Sequence, residues 1–312
     1  MSIIEISNIT KRYDDKLAID NVSFNIEKGE VFGLLGPNGA GKSTLISIMC
    51  GLIKADKGEV SISGHLIEKE TVKAKSYIGL VPQEIALYEN LSAIDNLKFW
   101  GSMYGLKGQT LKERIQEAID VTGLKEKAKE NVSKYSGGMK RRLNIAAAIM
   151  HRPEILIMDE PTVGIDPQSR NHILEFTMGL NEKYKTTIIY TSHYMEEVEH
   201  LCSRVAILDE GKVIALGSKY EIKRLVTDEE TIEFKLENFK EDMGINIKAL
   251  KGVKNVKYES NTLRVIVKNS QTNLQKIIET LLASSVLIKG VNIESPNLET
   301  VFLSLTGKNL RD

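Results

Sequence analysis

Three short stretches of this 312-residue sequence carry residue types that could hold and split a phosphate anhydride. Gly36-Pro37-Asn38-Gly39-Ala40-Gly41-Lys42-Ser43-Thr44 fits GxxxxGK[ST], a loop whose backbone N–H groups wrap phosphates. Its glycines let the chain curl, the following helix N-terminus adds positive potential, Lys42 reaches the β- and γ-phosphates of ATP, and Ser43 ligates Mg²⁺. Ile155-Leu156-Ile157-Met158-Asp159-Glu160 is an apolar run that ends in two carboxylates. Beside a phosphate loop these divide the labour, Asp159 holding Mg²⁺ through its shell and Glu160 polarising the attacking water. Between the two stretches lies Ser136-Gly137-Gly138, a second glycine-rich turn suited to an anion. A second such turn needs a phosphate of its own, so two of them in one chain imply two chains.

These residues need strands that end in loops. Val31-Phe32-Gly33-Leu34-Leu35 reads as a buried strand feeding the phosphate loop, and Leu45 and Ile46 open a helical pattern after it. Residues 3 to 35 read as short strands, with a turn signal at Glu27-Lys28-Gly29-Glu30. From about Leu87 to Lys129 the spacing becomes helical, through Leu91, Ile94, Leu97 and Phe99, then Leu111, Ile115, Ile119 and Val121. This predicts a helical subdomain over about residues 87–150, in which Tyr88, Phe99, Trp100 and Tyr104 serve as core. Ser136 suits an N-cap, and Leu143, Ala146, Ala147 and Met150 continue a helix that Pro153 stops.

Gly217-Ser218 and the charged segment Lys219 to Glu230 mark a boundary between a unit over residues 1–220 and a second over 221–312. The second unit reads as a strand with Ile232, Phe234 and Leu236, a helix near Lys240 to Leu250, and strands near Val253 to Tyr258 and Leu263 to Val267. A helix near Leu274 to Ala283 and a strand near Val286 to Ile293 complete it. The βαββαβ order predicts a small ferredoxin-like α+β domain. It holds none of the chemical motifs, which points to a dimerisation or regulatory role.

Forty-two basic residues balance forty-two acidic ones, so no global field draws the chain to nucleic acid, and no nucleic-acid partner is expected. Cys50 and Cys202 stand far apart without a CxxC or Cys/His partner, which argues against a disulfide framework or a zinc site. Met1-Ser2-Ile3-Ile4-Glu5 lacks the basic start and apolar stretch of a signal peptide, so a cytoplasmic location is expected. No apolar run reaches the roughly 18 residues that cross a bilayer. Work at a membrane would need a partner with the spanning helices.

With phosphate loop, Ser-Gly-Gly turn and Asp-Glu pair in this order, residues 3–217 resemble an ATP-binding cassette (ABC) ATPase, the nucleotide-hydrolysing subunit of an ABC transporter. The resemblance implies an α/β phosphate-loop core with antiparallel β and helical subdomains. It implies that Ser136, Gly137 and Gly138 close on the γ-phosphate of ATP held by a second ATP-binding subunit. Gln83 matches the residue that contacts Mg²⁺ and the attacking water and couples the site to the membrane partner. His193, in Tyr190-Thr191-Ser192-His193, matches the switch histidine at the γ-phosphate. Asp166 ends Pro161-Thr162-Val163-Gly164-Ile165-Asp166, which is similar to the loop that carries signals across the dimer, and Tyr13 matches the aromatic that stacks on adenine.

Tyr135 to Arg142, together with Pro296-Asn297-Leu298-Glu299-Thr300-Val301-Phe302-Leu303-Ser304-Leu305-Thr306-Gly307, is similar to the daunorubicin-resistance branch, whose members serve ABC-2 membrane proteins. Met139 and Tyr135 depart from the commoner Gln and Leu, as is usual in that branch. The branch implies export of drug, antibiotic or lipid-like molecules through separate integral membrane permease subunits, from the cytoplasmic face of the membrane. Only about ninety residues separate phosphate loop and Ser-Gly-Gly turn, too few for the coiled coils of chromosome-structure ATPases. A single phosphate loop also argues against the two-cassette translation proteins. A soluble ABC ATPase acting in assembly or regulation stays open as the alternative.

Overall fold

The structure, a computed structural model, describes residues 1–225, 229–239, 243–268, 270–284, 286–294 and 297–307. They form two compact units, Met1–Lys219 together with Thr306 and Gly307, and Tyr220–Leu305.

The first unit opens with β1 (Ser2–Tyr13) and β2 (Lys16–Glu27), an antiparallel pair with its apolar side chains turned inward. In β2, Val22, Phe24 and Ile26 are buried while Ser23 and Asn25 face out, the period-2 pattern of a sheet with one wet face. These strands are 12 residues each, longer than the short strands expected. The polar breaks at Asn8 (φ 53°) and Asn21 (φ 52°) are left-handed residues where the register shifts inside continuous strands. β3 (Val31–Leu35) is buried throughout and leads through the phosphate loop to α1 (Lys42–Met49). β4 (Lys57–Ile62), β5 (His65–Leu66), α2 (Thr71–Ser76) and β6 (Ile78–Val81) follow. The order β2-β1-β4-β5 makes a four-stranded antiparallel sheet.

The helical subdomain comprises α3 (Ala93–Met103), α4 (Gly108–Val121), two 3₁₀ turns at Lys125–Lys127 and Val132–Lys134, and α5 (Gly137–Ala148). Leu97, Ile119, Val132, Leu143 and Met150 pack as its own core. The aromatic residues read as core do not sit there: Tyr88, Phe99 and Tyr104 are 48%, 37% and 41% exposed, and only Trp100 is packed against the core cluster. The buried stripe of α3 runs instead through Ala93, Asn96, Leu97 and Gly101. Asn96 earns that place by exchanging hydrogen bonds with the Tyr88 backbone, accepting from N at 2.8 Å and donating to O at 3.0 Å.

β7 (Ile155–Met158), α6 (Pro167–Tyr184), β8 (Thr187–Tyr190), α7 (Met195–Leu201), β9 (Arg204–Asp209) and β10 (Lys212–Ser218) complete the unit. Its second sheet runs β10-β9-β3-β8-β7-β6, parallel except for β10. β3, β7 and β8 are covered on both faces, which is why they read as unbroken apolar runs. Ile4, Ile26, Leu45, Ile62 and Ile157 belong to a core cluster shared by the two sheets and α1.

The segment read as the boundary begins as α8 (Lys219–Arg224), with Ile222 buried; residues 226–228 of it lie outside the described residues. Then come β11 (Glu230–Glu237), α9 (Met243–Lys248), β12 (Val253–Glu259), β13 (Thr262–Val267), α10 (Ser270–Ala283), β14 (Leu287–Glu294) and α11 (Leu298–Thr306). The sheet order β12-β13-β11-β14, antiparallel at every pairing, with α9 and α10 supplying Ile247, Ile277 and Leu281 to its core, is the ferredoxin-like arrangement. Lys240 and Pro296, which bounded two segments read from sequence, lie outside the described residues.

Candidate functional site

Because β3, β8, β7 and β6 are parallel neighbours, their C-terminal ends open on one edge of the sheet. That edge is where open α/β sheets bind ligands. The four strands deliver the loops that begin at Gly36, Thr191, Asp159 and Pro82.

The phosphate loop is shaped by close approach of its backbone to β2. Gly41, at φ 107°, would place a Cβ 2.5 Å from the Ala18 carbonyl, so no other residue lets the loop pass there. Pro37 and Ala40 are buried, while Asn38, Gly39 and Ser43 are exposed and Thr44 is half-buried. Lys42 donates to the carbonyls of Gly36 at 2.7 Å and Pro37 at 3.2 Å, holding its ammonium inside the loop. Burial lowers its pKa, and the nearby carboxylates of Glu160 and Asp159 oppose that shift.

Glu160 sits at the centre of the second cluster, 6% exposed and with its backbone in the left-handed region at φ 47°. Gln83 Nε2 donates to Oε2 at 3.0 Å, and His193 Nε2 lies 2.7 Å from Oε1. Its backbone N–H donates to Thr191 Oγ1 at 2.8 Å, and that hydroxyl donates to Asp159 Oδ1 at 2.8 Å. One hydroxyl thus orients both carboxylate residues. The result is a carboxylate aimed by an amide and an imidazole beside a buried ammonium, an arrangement able to take a proton from a water attacking a phosphate. Ser43, Gln83 and Asp159 offer hydroxyl, amide and carboxylate oxygens, the hard donors that suit Mg²⁺.

Ser136 caps α5, its hydroxyl accepting from Met139 N at 3.3 Å. Gly138 packs against the start of α6, where a Cβ would fall 2.1 Å from Ser169 Oγ. Asp166 caps that same helix by accepting from Ser169 N at 2.9 Å, and this bond draws its carboxyl below the usual range. Ser136, Gly137, Gly138 and Asp166 therefore lie at two helix starts in contact with each other, whereas Lys42, Gln83, Asp159, Glu160 and His193 converge on the sheet edge. Tyr13 ends β1 and is 46% exposed, with Lys11 Nζ 5.6 Å from its ring centroid. Asp56 steadies that end, accepting from Lys11 Nζ at 2.8 Å and from Arg12 N at 2.7 Å.

Sequence reasoning missed Thr191 and Arg141. Arg141 is 3% exposed and donates through Nη1 to Pro82 O at 2.7 Å and through Nη2 to Gln83 O at 2.5 Å, tying α5 to the Gln83 loop. Burial pulls its pKa down. The available signal was phase: Gly138, Arg141 and Ile145 share the buried face of α5, where a charged residue needs a partner.

The sequence pattern of the family described as ABC transporter matches residues 19–163. The linearmycin resistance ATP-binding protein LnrL of Bacillus subtilis (strain 168) is 48% identical over 99% of this chain and 100% of its own length. The daunorubicin resistance ATP-binding protein DrrA3 of Streptomyces coeruleorubidus is 33% identical over 99% of this chain and 97% of its own. The solved dimeric, post-hydrolysis ATP-binding cassette MJ0796 bound to ADP and Pi superposes with a TM-score of 0.63 at 27% identity, covering 69% of this chain and 98% of that one.

Proposed function

Because this chain belongs to the ABC transporter family of ATP-binding, ATP-hydrolysing subunits, we propose that it powers export of drug, antibiotic or lipid-like molecules through separate permease subunits. The observation that carries export is the reach of the resistance proteins: LnrL and DrrA3 align with 99% of the chain, second unit included, whereas the MJ0796 cassette aligns with 69%. The membrane path is assigned to the permease and this chain to its cytoplasmic face; no helix among the described residues is long and apolar enough to cross a membrane. The soluble assembly or regulatory alternative has no observation in its favour.

In the proposed cycle, Tyr13 stacks on adenine and Gly36 to Thr44 wrap the phosphates, with Lys42 on the β- and γ-phosphates. Ser136, Gly137 and Gly138 of a second copy close on the γ-phosphate, and Asp166 lies at the joint between the two. Mg²⁺ is assigned to Ser43, Asp159 and Gln83. When bound, it neutralises charge on the phosphates. Glu160 accepts a proton from the attacking water, while Gln83 and His193 fix its two oxygens. ATP favours the closed pair because only there is it held by both copies, which is a ligand-driven shift of population. The unit Tyr220–Leu305 is assigned a dimerisation or regulatory role, and loss of ATP binding on deletion of residues 225–312 would overturn that division.

Glu160→Gln tests the assignment. General-base help is worth about 10²- to 10⁴-fold, so turnover should fall by that factor while ATP binding persists. With ATP, the variant should be dimeric by light scattering. Native turnover in Glu160→Gln refutes the general base, and a monomer with ATP refutes the closed pair.

A further inference from the structure

Glu197, on α7, is 3% exposed, and it is not among the residues assigned above to phosphate or metal. A buried carboxylate is costly unless donors surround it. Its Oε2 accepts three hydroxyl hydrogen bonds, from Thr162 at 2.9 Å, Tyr190 at 2.9 Å and Ser192 at 2.6 Å. Its Oε1 faces Arg170 Nε at 3.5 Å, and the Arg170 guanidinium lies 4.0 Å from the centroid of Tyr194.

The origin of these donors separates a site function from simple anchoring of α7. Thr162 lies between Glu160 and Asp166, on the loop that follows β7. Tyr190 ends β8, and Ser192 immediately precedes His193. Ser192 Oγ also accepts from Tyr194 N at 2.9 Å, so the backbone on both sides of His193 is tied to the same hydroxyl. Arg170 stands in the first turn of α6, the helix that Asp166 caps. One carboxylate is therefore the common acceptor for two loops whose other side chains, Glu160 and His193, meet at 2.7 Å.

We infer that Glu197 is a positioning residue for hydrolysis, joining the Thr162 loop and the Ser192 loop into one body so that His193 stays in register with Glu160. It rests on the ATPase assignment of Glu160 and His193 above. A displacement of the Asp166 segment then moves His193 with it instead of sliding past.

The test uses the full chain and compares wild type with Glu197→Ala, Glu197→Gln, Thr162→Val and Ser192→Ala by ATPase kcat and KM, binding of a fluorescent ATP analogue, and thermal melting. Glu197→Ala should lower kcat about tenfold or more, with analogue affinity held within about twofold. Glu197→Gln, whose amide oxygen can still accept the three hydroxyl hydrogens, should recover to within about threefold of wild type. Thr162→Val and Ser192→Ala should each cost about three- to tenfold in kcat, and together less than the product, because they share one acceptor. Should Glu197→Ala fail to fold, these two variants carry the test by the same split between kcat and affinity. The inference is overturned if kcat is unchanged, if kcat and affinity fall together, or if the Gln variant is no better than Ala. Native turnover in Glu160→Gln would instead remove the underlying assignment, so the two failures are distinguishable.

Discussion

Gly138→Ala asks whether the contact between the starts of α5 and α6 sets the geometry of the Ser136 turn. The added Cβ would lie 2.1 Å from Ser169 Oγ and 2.5 Å from Ser169 Cβ. The hydroxyl can rotate away, but Ser169 Cβ is fixed to its backbone. Reaching ordinary contact near 3.4 Å means parting the two helix starts by 3.4 − 2.5, about 0.9 Å. Overpacking of this kind costs about 1–3 kcal/mol. At about 2–4 °C per kcal/mol for a unit of this size, melting should drop by roughly 2–12 °C. The effect on turnover is larger, since the helix starts carry Ser136 and Gly137 on one side and Asp166 on the other. Misplacing such groups by about 1 Å costs on the order of 10²-fold. The assay is steady-state ATPase with parallel analogue binding and calorimetry. A companion, Gly138→Ala with Ser169→Gly, removes Oγ and Cβ but keeps the Ser169 N–H that Asp166 accepts, and it should regain at least about tenfold of the lost turnover. Native turnover in the single variant would refute the reasoning. A double variant no better than the single would locate the harm at the phosphate instead of at Ser169.

Two further outcomes follow from buried side chains. Arg141→Ala should lower kcat about 10- to 100-fold with nucleotide affinity retained, because charge-assisted bonds worth about 1.5–3 kcal/mol each hold the Gln83 loop; Lys, lacking the fork, should recover only part of it, as kcat and KM measured on both will tell. His151 has its pKa lowered by burial to about 4, and its ring stacks 3.7 Å from Tyr104. Between about pH 4 and 6.5 the unfolded chain therefore binds more protons, so this contribution to stability is present above pH 6.5 and is lost as pH falls toward 4. Melting temperatures over that window should rise with pH, and less steeply in His151→Phe.

The chemical motifs were legible because phosphate binding demands fixed residue types at fixed spacing, as in Gly36 to Thr44. The α/β core and the ferredoxin-like unit were legible through apolar runs and alternation. Pairings across the chain were not: Gln83 and Glu160 are 77 residues apart and meet only because β6 and β7 are parallel neighbours. Periodicity located α3 and its buried Leu97, but not the rest of the buried face, since Asn96 took a core position by satisfying the Tyr88 backbone and left Phe99 outside. Arg141 was hidden by the sound rule that arginine is exposed, which a pair of loop carbonyls overrode. The register shifts at Asn8 and Asn21 inside long strands carried no sequence signal that told bulged strands from short ones, because polar, left-handed residues serve in both bulges and turns.

The four strand ends at Leu35, Val81, Met158 and Tyr190 lie far apart along the chain and are neighbours only in the finished sheet. Such distant parallel pairings form slowly, because loop closure must precede the contacts that reward it. The nucleotide site proposed at these ends is consequently absent from any chain that has not completed its sheet, and ATP would recognise only molecules that have. At a concentration 100 times its dissociation constant, a ligand of that kind adds about 2.7 kcal/mol to the folded state. The fuel thus also acts as a selective stabiliser, drawing newly made chains toward the one conformation able to spend it.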